Sequence, residues 1–193
     1  MTVLKKLVAV FGLLIVILAA CGQSGIENAL NYDVKDFSYT NQDNQGVGLS
    51  DLEGKVWIAD FIFTSCETVC PPMTFNMSQL QDKVKEEGIE NVEFVSFSVD
   101  PTVDSPEALK DFANNYEIDF SNWHFLTGYS QEEIESFAVD SFKSLVKKPK
   151  NDDQVIHQTS IYLVDQNGVV MKDYDGVSDV PYDEIIADIK KIQ

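Results

Sequence analysis

Very few residues of this chain can do chemistry. Two of its three cysteines stand four apart in Cys66-Glu67-Thr68-Val69-Cys70-Pro71-Pro72, and its only histidines are His124 and His157. The cysteine motif falls between an apolar run, Val56 to Phe63, and a stretch of helical character that ends at Gly88. A thiol at the start of a helix meets unpaired backbone N–H groups and the positive end of the helix dipole. Both favour the thiolate, which raises nucleophilicity and metal affinity. The i, i+4 spacing sets both sulfurs on one side of a turn-like segment. A structural disulfide or two buried thiols would fit the same residues, although a bridge across so short a loop constrains little chain. His157 follows a polar loop, Lys143 to Gln154, and opens an expected strand, where its ring can converge on the thiols. His124, in Trp123-His124-Phe125-Leu126, reads as an ordinary histidine beside a strand.

Other residues qualify as support. Asp60 is the one break in the apolar run. It is either a solvated or hydrogen-bonded acid at a strand edge, or a buried carboxyl behind Cys70 that exchanges a proton with the thiol. Asp100 and Asp104 flank a proline turn at the sheet end where the cysteines should lie. They read as loop and cap residues, or as a docking or supporting pair for the site. Gln158 is placed to support His157. Lys147-Lys148-Pro149-Lys150 is the only basic cluster and reads as a solvated, mobile loop, with a lid that brings His157 to the thiols as the sharper alternative.

The elements that must position these residues alternate. A short strand or hairpin is expected near 34–40. Strands follow at Val56–Phe63, Val92–Val99 and Trp123–Leu126, with helices over Pro72–Glu87, Ser105–Tyr116 and Ser130–Phe142 between and after them. Ser105 before Pro106, and Ser130 three residues before Glu133, are helix-start signals. A hairpin, His157–Val164 and Val169–Tyr174 across Gln166-Asn167-Gly168, precedes a last helix from Pro181 to Ile192. The order β-α-β-α-β-α-β-β-α predicts an α/β fold, a mixed sheet with helices on both faces.

Composition bounds the rest. The chain has 193 residues, 44% of them hydrophobic, enough for one domain with a real core. Its 14 basic residues, all Lys, face 32 acids for a net charge of −18. That excludes nucleic acid, which demands a basic footprint, and electrostatic adhesion to anionic lipid. Lys5 and Lys6 precede an apolar run from Leu7 to Ala20, about 21 Å as a helix and short of the roughly 30 Å hydrocarbon core. The run ends Leu18-Ala19-Ala20-Cys21-Gly22, which resembles a bacterial lipoprotein signal in which Cys21 is lipidated. An uncleaved anchor is the other reading, and both place the domain outside the cytoplasm. Loss of the two signal lysines leaves 12 Lys against 32 acids, a net of −20. The expected division is a signal over 1–20, a lipidated N-terminus and flexible tether over 21–45, and one domain over 46–193.

Four blocks in order carry a family likeness: Asp60-Phe61-Ile62-Phe63-Thr64-Ser65-Cys66-Glu67-Thr68-Val69-Cys70-Pro71; Ser98-Val99-Asp100-Pro101-Thr102-Val103-Asp104-Ser105-Pro106; Trp123-His124-Phe125-Leu126-Thr127-Gly128; and His157 before Ile161-Tyr162-Leu163-Val164-Asp165. Over residues 45–192 the chain resembles the Sco (SenC) family of membrane-anchored copper proteins. The resemblance implies a thioredoxin-like fold and copper held by Cys66, Cys70 and His157. It also implies a role in assembling the binuclear copper centre of cytochrome c oxidase, with the copper-bearing subunit of that oxidase as partner. Soft thiolates suit Cu(I), and imidazole suits either oxidation state. Three donors leave a position open, whereas a structural zinc site wants four protein ligands. Thioredoxin itself carries a buried acid six residues before its first cysteine, the spacing of Asp60 here. A thiol–disulfide oxidoreductase that reduces the copper-site cysteines of the oxidase is the alternative function, and a redox or copper sensor a third. The histidine separates chaperone from reductase, because a dithiol reductase needs no third ligand.

Overall fold

The structure, a computed structural model, describes residues 25–150 and 152–193. The expected signal and Cys21 lie outside the described residues. Eight strands form one mixed sheet: β1 (Tyr32–Asp33), β2 (Ser38–Asn41), β3 (Gly46–Gly48), β4 (Val56–Ile62), β5 (Val92–Ser98), β6 (Trp123–Thr127), β7 (Ser160–Val164) and β8 (Val169–Asp175). Four helices accompany them: α1 (Cys70–Glu86), α2 (Pro106–Ala113), α3 (Gln131–Phe142) and α4 (Tyr182–Ile192). The strand order is β1-β8-β7-β4-β5-β6-β2-β3. β4, β5 and β6 run parallel, as their helical crossovers require, and β7 pairs antiparallel with β4 and β8.

Every residue of β4 is buried, which explains its unbroken apolar run. Its register aligns Phe61 with Phe97 and Asp60 with Ser96, so the two faces of the sheet differ in chemistry. On the Phe61 face, Phe61 and Phe97 stack at 5.6 Å, and Phe142 of α3 meets Phe61 edge-on at 5.3 Å. On the Asp60 face, the Trp123 indole donates to Ser96 Oγ at 3.0 Å. The expected helix starts hold, since Ser105 Oγ accepts from Ala108 N and Ser130 Oγ from Glu133 N.

Two expectations are corrected. The tether expected over 21–45 is part of the domain from residue 25 onward. β1 pairs with β8 at one edge of the sheet, while β2 pairs with β6 near the other and carries β3 outside it. Phe37 and Tyr39 are buried, and Phe37 meets Phe97 edge-on at 5.5 Å. The polar residues that suggested a tether serve the pairing. The Gln42 amide donates to the Trp123 carbonyl at 3.2 Å and accepts from Phe125 N at 2.9 Å, continuing the ladder with a side chain. Open strand edges invite association, and this segment covers them. The second correction concerns β7, which begins at Ser160 and leaves His157 in the preceding loop.

Candidate metal centre

The two cysteines sit where β4 hands over to α1. Cys70 is the first residue of α1, followed by Pro71 and Pro72, which need no N–H partner at a helix start. The freed amides turn back on the other sulfur, and Cys70 N donates to Cys66 Sγ at 3.4 Å. Burial opposes ionisation of Cys66, but the N–H groups of Cys70, Thr68 and Val69 and the Cys70 thiol outweigh it and hold this thiol below its ordinary value. Cys70 has the opposite character. It is fully buried, and desolvation, helped by the neighbouring Cys66 and Asp60 charges, pushes its thiol well above the ordinary value. Both cysteines are free thiols.

His157 reaches the same spot from the loop between α3 and β7. Its Nδ1 lies 2.9 Å from the Gln158 carbonyl. A carbonyl only accepts, so Nδ1 carries the proton and the Nε2 lone pair faces Cys70 Sγ at 3.7 Å. The ring stands edge-on to Phe63, centroids 5.7 Å apart. Burial lowers the pKa of this histidine, keeping it neutral and able to ligate. Ligand atoms of Cys66, Cys70 and His157 all lie within 4.8 Å of one another, the one such cluster among the described residues. Two sulfurs and one unprotonated nitrogen, with no fourth protein donor in the cluster, fit a thiophilic ion of low coordination number.

Asp60 is fully buried beneath this centre, and neither carboxylate oxygen has a hydrogen-bond partner. Desolvation raises its pKa to about 7, with slight relief from the nearby Ser96 hydroxyl, which is not in bonding geometry. The strand-edge reading of Asp60 therefore gives way to the buried one. Asp104, also buried, accepts from Thr64 N at 3.2 Å, Thr64 Oγ1 at 2.6 Å and Ser98 Oγ at 2.6 Å. Burial raises its pKa, against the pull of those hydrogen bonds. Asp100 receives Lys148 Nζ on both oxygens, at 2.6 and 2.7 Å. Gln158 contributes its backbone carbonyl to His157, while its side chain accepts from Tyr162 OH at 3.3 Å. His124 stands apart beside Glu93, 3.4 Å away on the neighbouring strand.

Sequence reasoning missed Thr64 and Phe63, and named Lys148 only as part of a basic loop that reads as solvated or as a lid over the thiols. Phe63 was hidden in an apolar run that reads as core. Lys148 looked solvated because its buried partner lies far away in sequence. The loop that holds it is no free excursion either, since Val146 and Val155 are buried.

A model of the SCO1/SenC family matches residues 27–193. A SCO1/SenC family lipoprotein from Bacillus anthracis superposes with a TM-score of 0.84 at 56% identity, covering 87% of this chain and 99% of its own. BsSco, described as a member of the Sco family of cytochrome c oxidase assembly proteins with a disulfide switch, gives 0.81 at 58% identity, covering 86% and 96%. Copper-bound ScoI from Bradyrhizobium japonicum gives 0.68 at 26% identity, covering 83% and 99%. The sheet and helices described above are thus the thioredoxin-like fold of these proteins. With the family model spanning nearly every described residue and more than half of the positions identical in two solved relatives, this chain belongs to the SCO1/SenC family.

Proposed function

We propose that this protein is a copper metallochaperone that holds copper through Cys66, Cys70 and His157 for assembly of the binuclear copper centre of cytochrome c oxidase. The convergence of two sulfurs and one imidazole nitrogen within 4.8 Å carries the reading. Copper is cargo, and three donors leave a position through which an acceptor's ligand enters. Copper bound to a relative and the oxidase-assembly role described for another support it. The partner is the copper-bearing subunit of the oxidase. In this reading residues 1–20 are a secretory signal, Cys21 carries the lipid, and the domain works on the extracytoplasmic side. No helix among the described residues is long and apolar enough to cross a membrane, and the lipoprotein relative supports anchorage by lipid.

A second reading rests on the asymmetry of the thiols. Cys66, favoured as thiolate, is suited to attack a partner disulfide, and the buried Cys70 behind it to resolve the mixed disulfide. This is the thiol–disulfide oxidoreductase, and the two roles share one site. Titration of the full chain with copper, thiols reduced, in wild type and His157→Ala separates them. The chaperone reading expects one copper per chain, with sulfur-to-copper charge-transfer absorption weakened in the variant. Failure of the wild type to retain copper overturns it. The oxidoreductase reading expects His157→Ala to keep its reductase activity.

A further inference from the structure

The three ligand residues belong to two segments with no direct covalent economy between them. Cys66 and Cys70 ride on the turn from β4 into α1, whereas His157 lies near the end of a loop, residues 143–159, whose described residues form no helix or strand. A third segment, the loop after β5, touches both. Its Asp104 grips the cysteine side, accepting from the backbone N and the hydroxyl of Thr64, two residues before Cys66. Its Asp100 grips the histidine side, taking Lys148 Nζ on both carboxylate oxygens. The grip on Lys148 is passed on to the ligand. Lys147, next to it, forms a two-way backbone pair with Ile156, at 2.8 and 2.9 Å, and Ile156 precedes His157.

The two acids are also tied to each other. Ser98 Oγ donates to Asp104 Oδ2 at 2.6 Å and accepts from Asp100 N at 3.1 Å. Thr102 Oγ1 adds a further donor to Asp100 at 2.8 Å. The Asp100 side chain is 1% exposed and that of Lys148 21%, so the pair is largely withdrawn from water. Taking both charges out of water costs about as much as their attraction returns, so such a pair adds little net stability. What it does impose is geometry, because neither charge tolerates losing the other.

We infer that the loop after β5 is a bracket, in which Asp104 fixes the thiol segment and Asp100, through Lys148, sets the distance of His157 from the thiols. Asp100 and Lys148 are positioning residues for the third metal ligand. This inference rests on the metal-holding reading of the site. Residues that orient a metal ligand change affinity by about 10–100-fold when lost. Lys148→Met is the first variant, since Lys148 is at the rim and its stem can be replaced by an apolar one. Lys148→Met with Asp100→Asn is the second, because it leaves no unpaired buried charge.

The test is chelator competition for copper by the full chain with thiols reduced, together with amide hydrogen exchange without metal. Lys148→Met is expected to weaken copper retention about tenfold and to weaken the charge-transfer band toward that of His157→Ala. In a His157→Ala background the same change should add nothing, and Lys148→Arg should restore retention. The Ile156 amide should exchange faster in Lys148→Met and in the double variant, while amides of β4 and β5 keep wild-type rates. Undiminished copper retention overturns the bracket, and so does an equal loss in the His157→Ala background. If the wild type binds no copper, the function proposed above fails. The bracket then stands or falls on the Ile156 exchange rate, unchanged protection refuting it.

Discussion

The two halves of the metal centre are built by different means. The thiol half is made by secondary structure. A fully buried strand ends, a helix begins four residues after Cys66, and the amide of its first residue, Cys70, settles on the Cys66 sulfur. The histidine half is made by tertiary ties. Outside regular structure, its position follows from the Lys147–Ile156 backbone pair, one buried ion pair and the edge of Phe63. The contrast assigns separate tasks. In the chaperone reading proposed above, a site that holds copper and gives it up needs donors that stay and a donor that can be withdrawn, and a loop-borne ligand is the easier to withdraw.

The largest expected effect breaks the thiol half. Cys70→Ser should weaken copper by at least about 1,000-fold in chelator competition, against about 100-fold for His157→Ala, since the soft thiolate contributes most to such a site. Equal losses would erase the distinction between the halves.

Next comes Asp60, which lies under the thiol half with neither carboxylate oxygen hydrogen-bonded. Its folded pKa of about 7 exceeds the unfolded value of about 3.9, so the fold prefers the protonated acid. Its contribution to stability is complete below pH 4 and is lost as the pH rises through 7. Asp60→Asn removes that slope. Denaturation of the metal-free protein should show the variant gaining on wild type by up to about 4 kcal/mol between pH 4 and pH 8. Parallel stability curves would mean that the carboxyl finds relief that the fold does not display.

Thr64→Val probes the clamp on the thiol side. It leaves Asp104 without its Thr64 hydroxyl donor, and destabilisation of about 1–3 kcal/mol is expected by denaturant unfolding. The smallest effect is assigned to Lys147→Ala. Its ammonium pairs with Glu135 at 2.6 Å, but the lysine side chain is 61% exposed, and such a pair contributes about 0–1 kcal/mol. Copper retention should be unchanged, because the backbone pair to Ile156 needs no Lys147 side chain. A loss as large as that of Lys148→Met would show that the loop depends on its total charge and not on the one buried contact.

Much of the fold was legible in the residues. Alternation of apolar runs with capped amphipathic stretches gave the parallel β4-β5-β6 core and the late hairpin, since both signals are local. The segment from residue 25 to 45 was not legible as part of the domain. Short alternation, Leu30-Asn31-Tyr32-Asp33-Val34 and Phe37-Ser38-Tyr39, does point to the short strand expected near 34–40, but each stretch is brief and set among polar residues, so it does not show that the whole segment packs on the core. Ile26, Val34, Phe37 and Tyr39 are buried because the sheet offers two edges to cover, and nothing local announces an edge.

The site divides along the same line. Sequence alone singled out the candidate donors, Cys66, Cys70 and His157, because the chain offers few thiols and imidazoles. It also determined that Cys66 and Cys70 share a helix start, a matter of four residues and two prolines. Only the tertiary structure decided that Cys66 is the ionisable thiol and Cys70 the buried one, that Asp60 lacks a partner, and that Asp100 and Asp104 each hold one half of the centre. Thr64 and Asp104 lie 40 residues apart, and Lys148 and Asp100 lie 48 apart. Local sequence records propensity and periodicity, whereas burial and long-range pairing exist only once the chain has closed on itself.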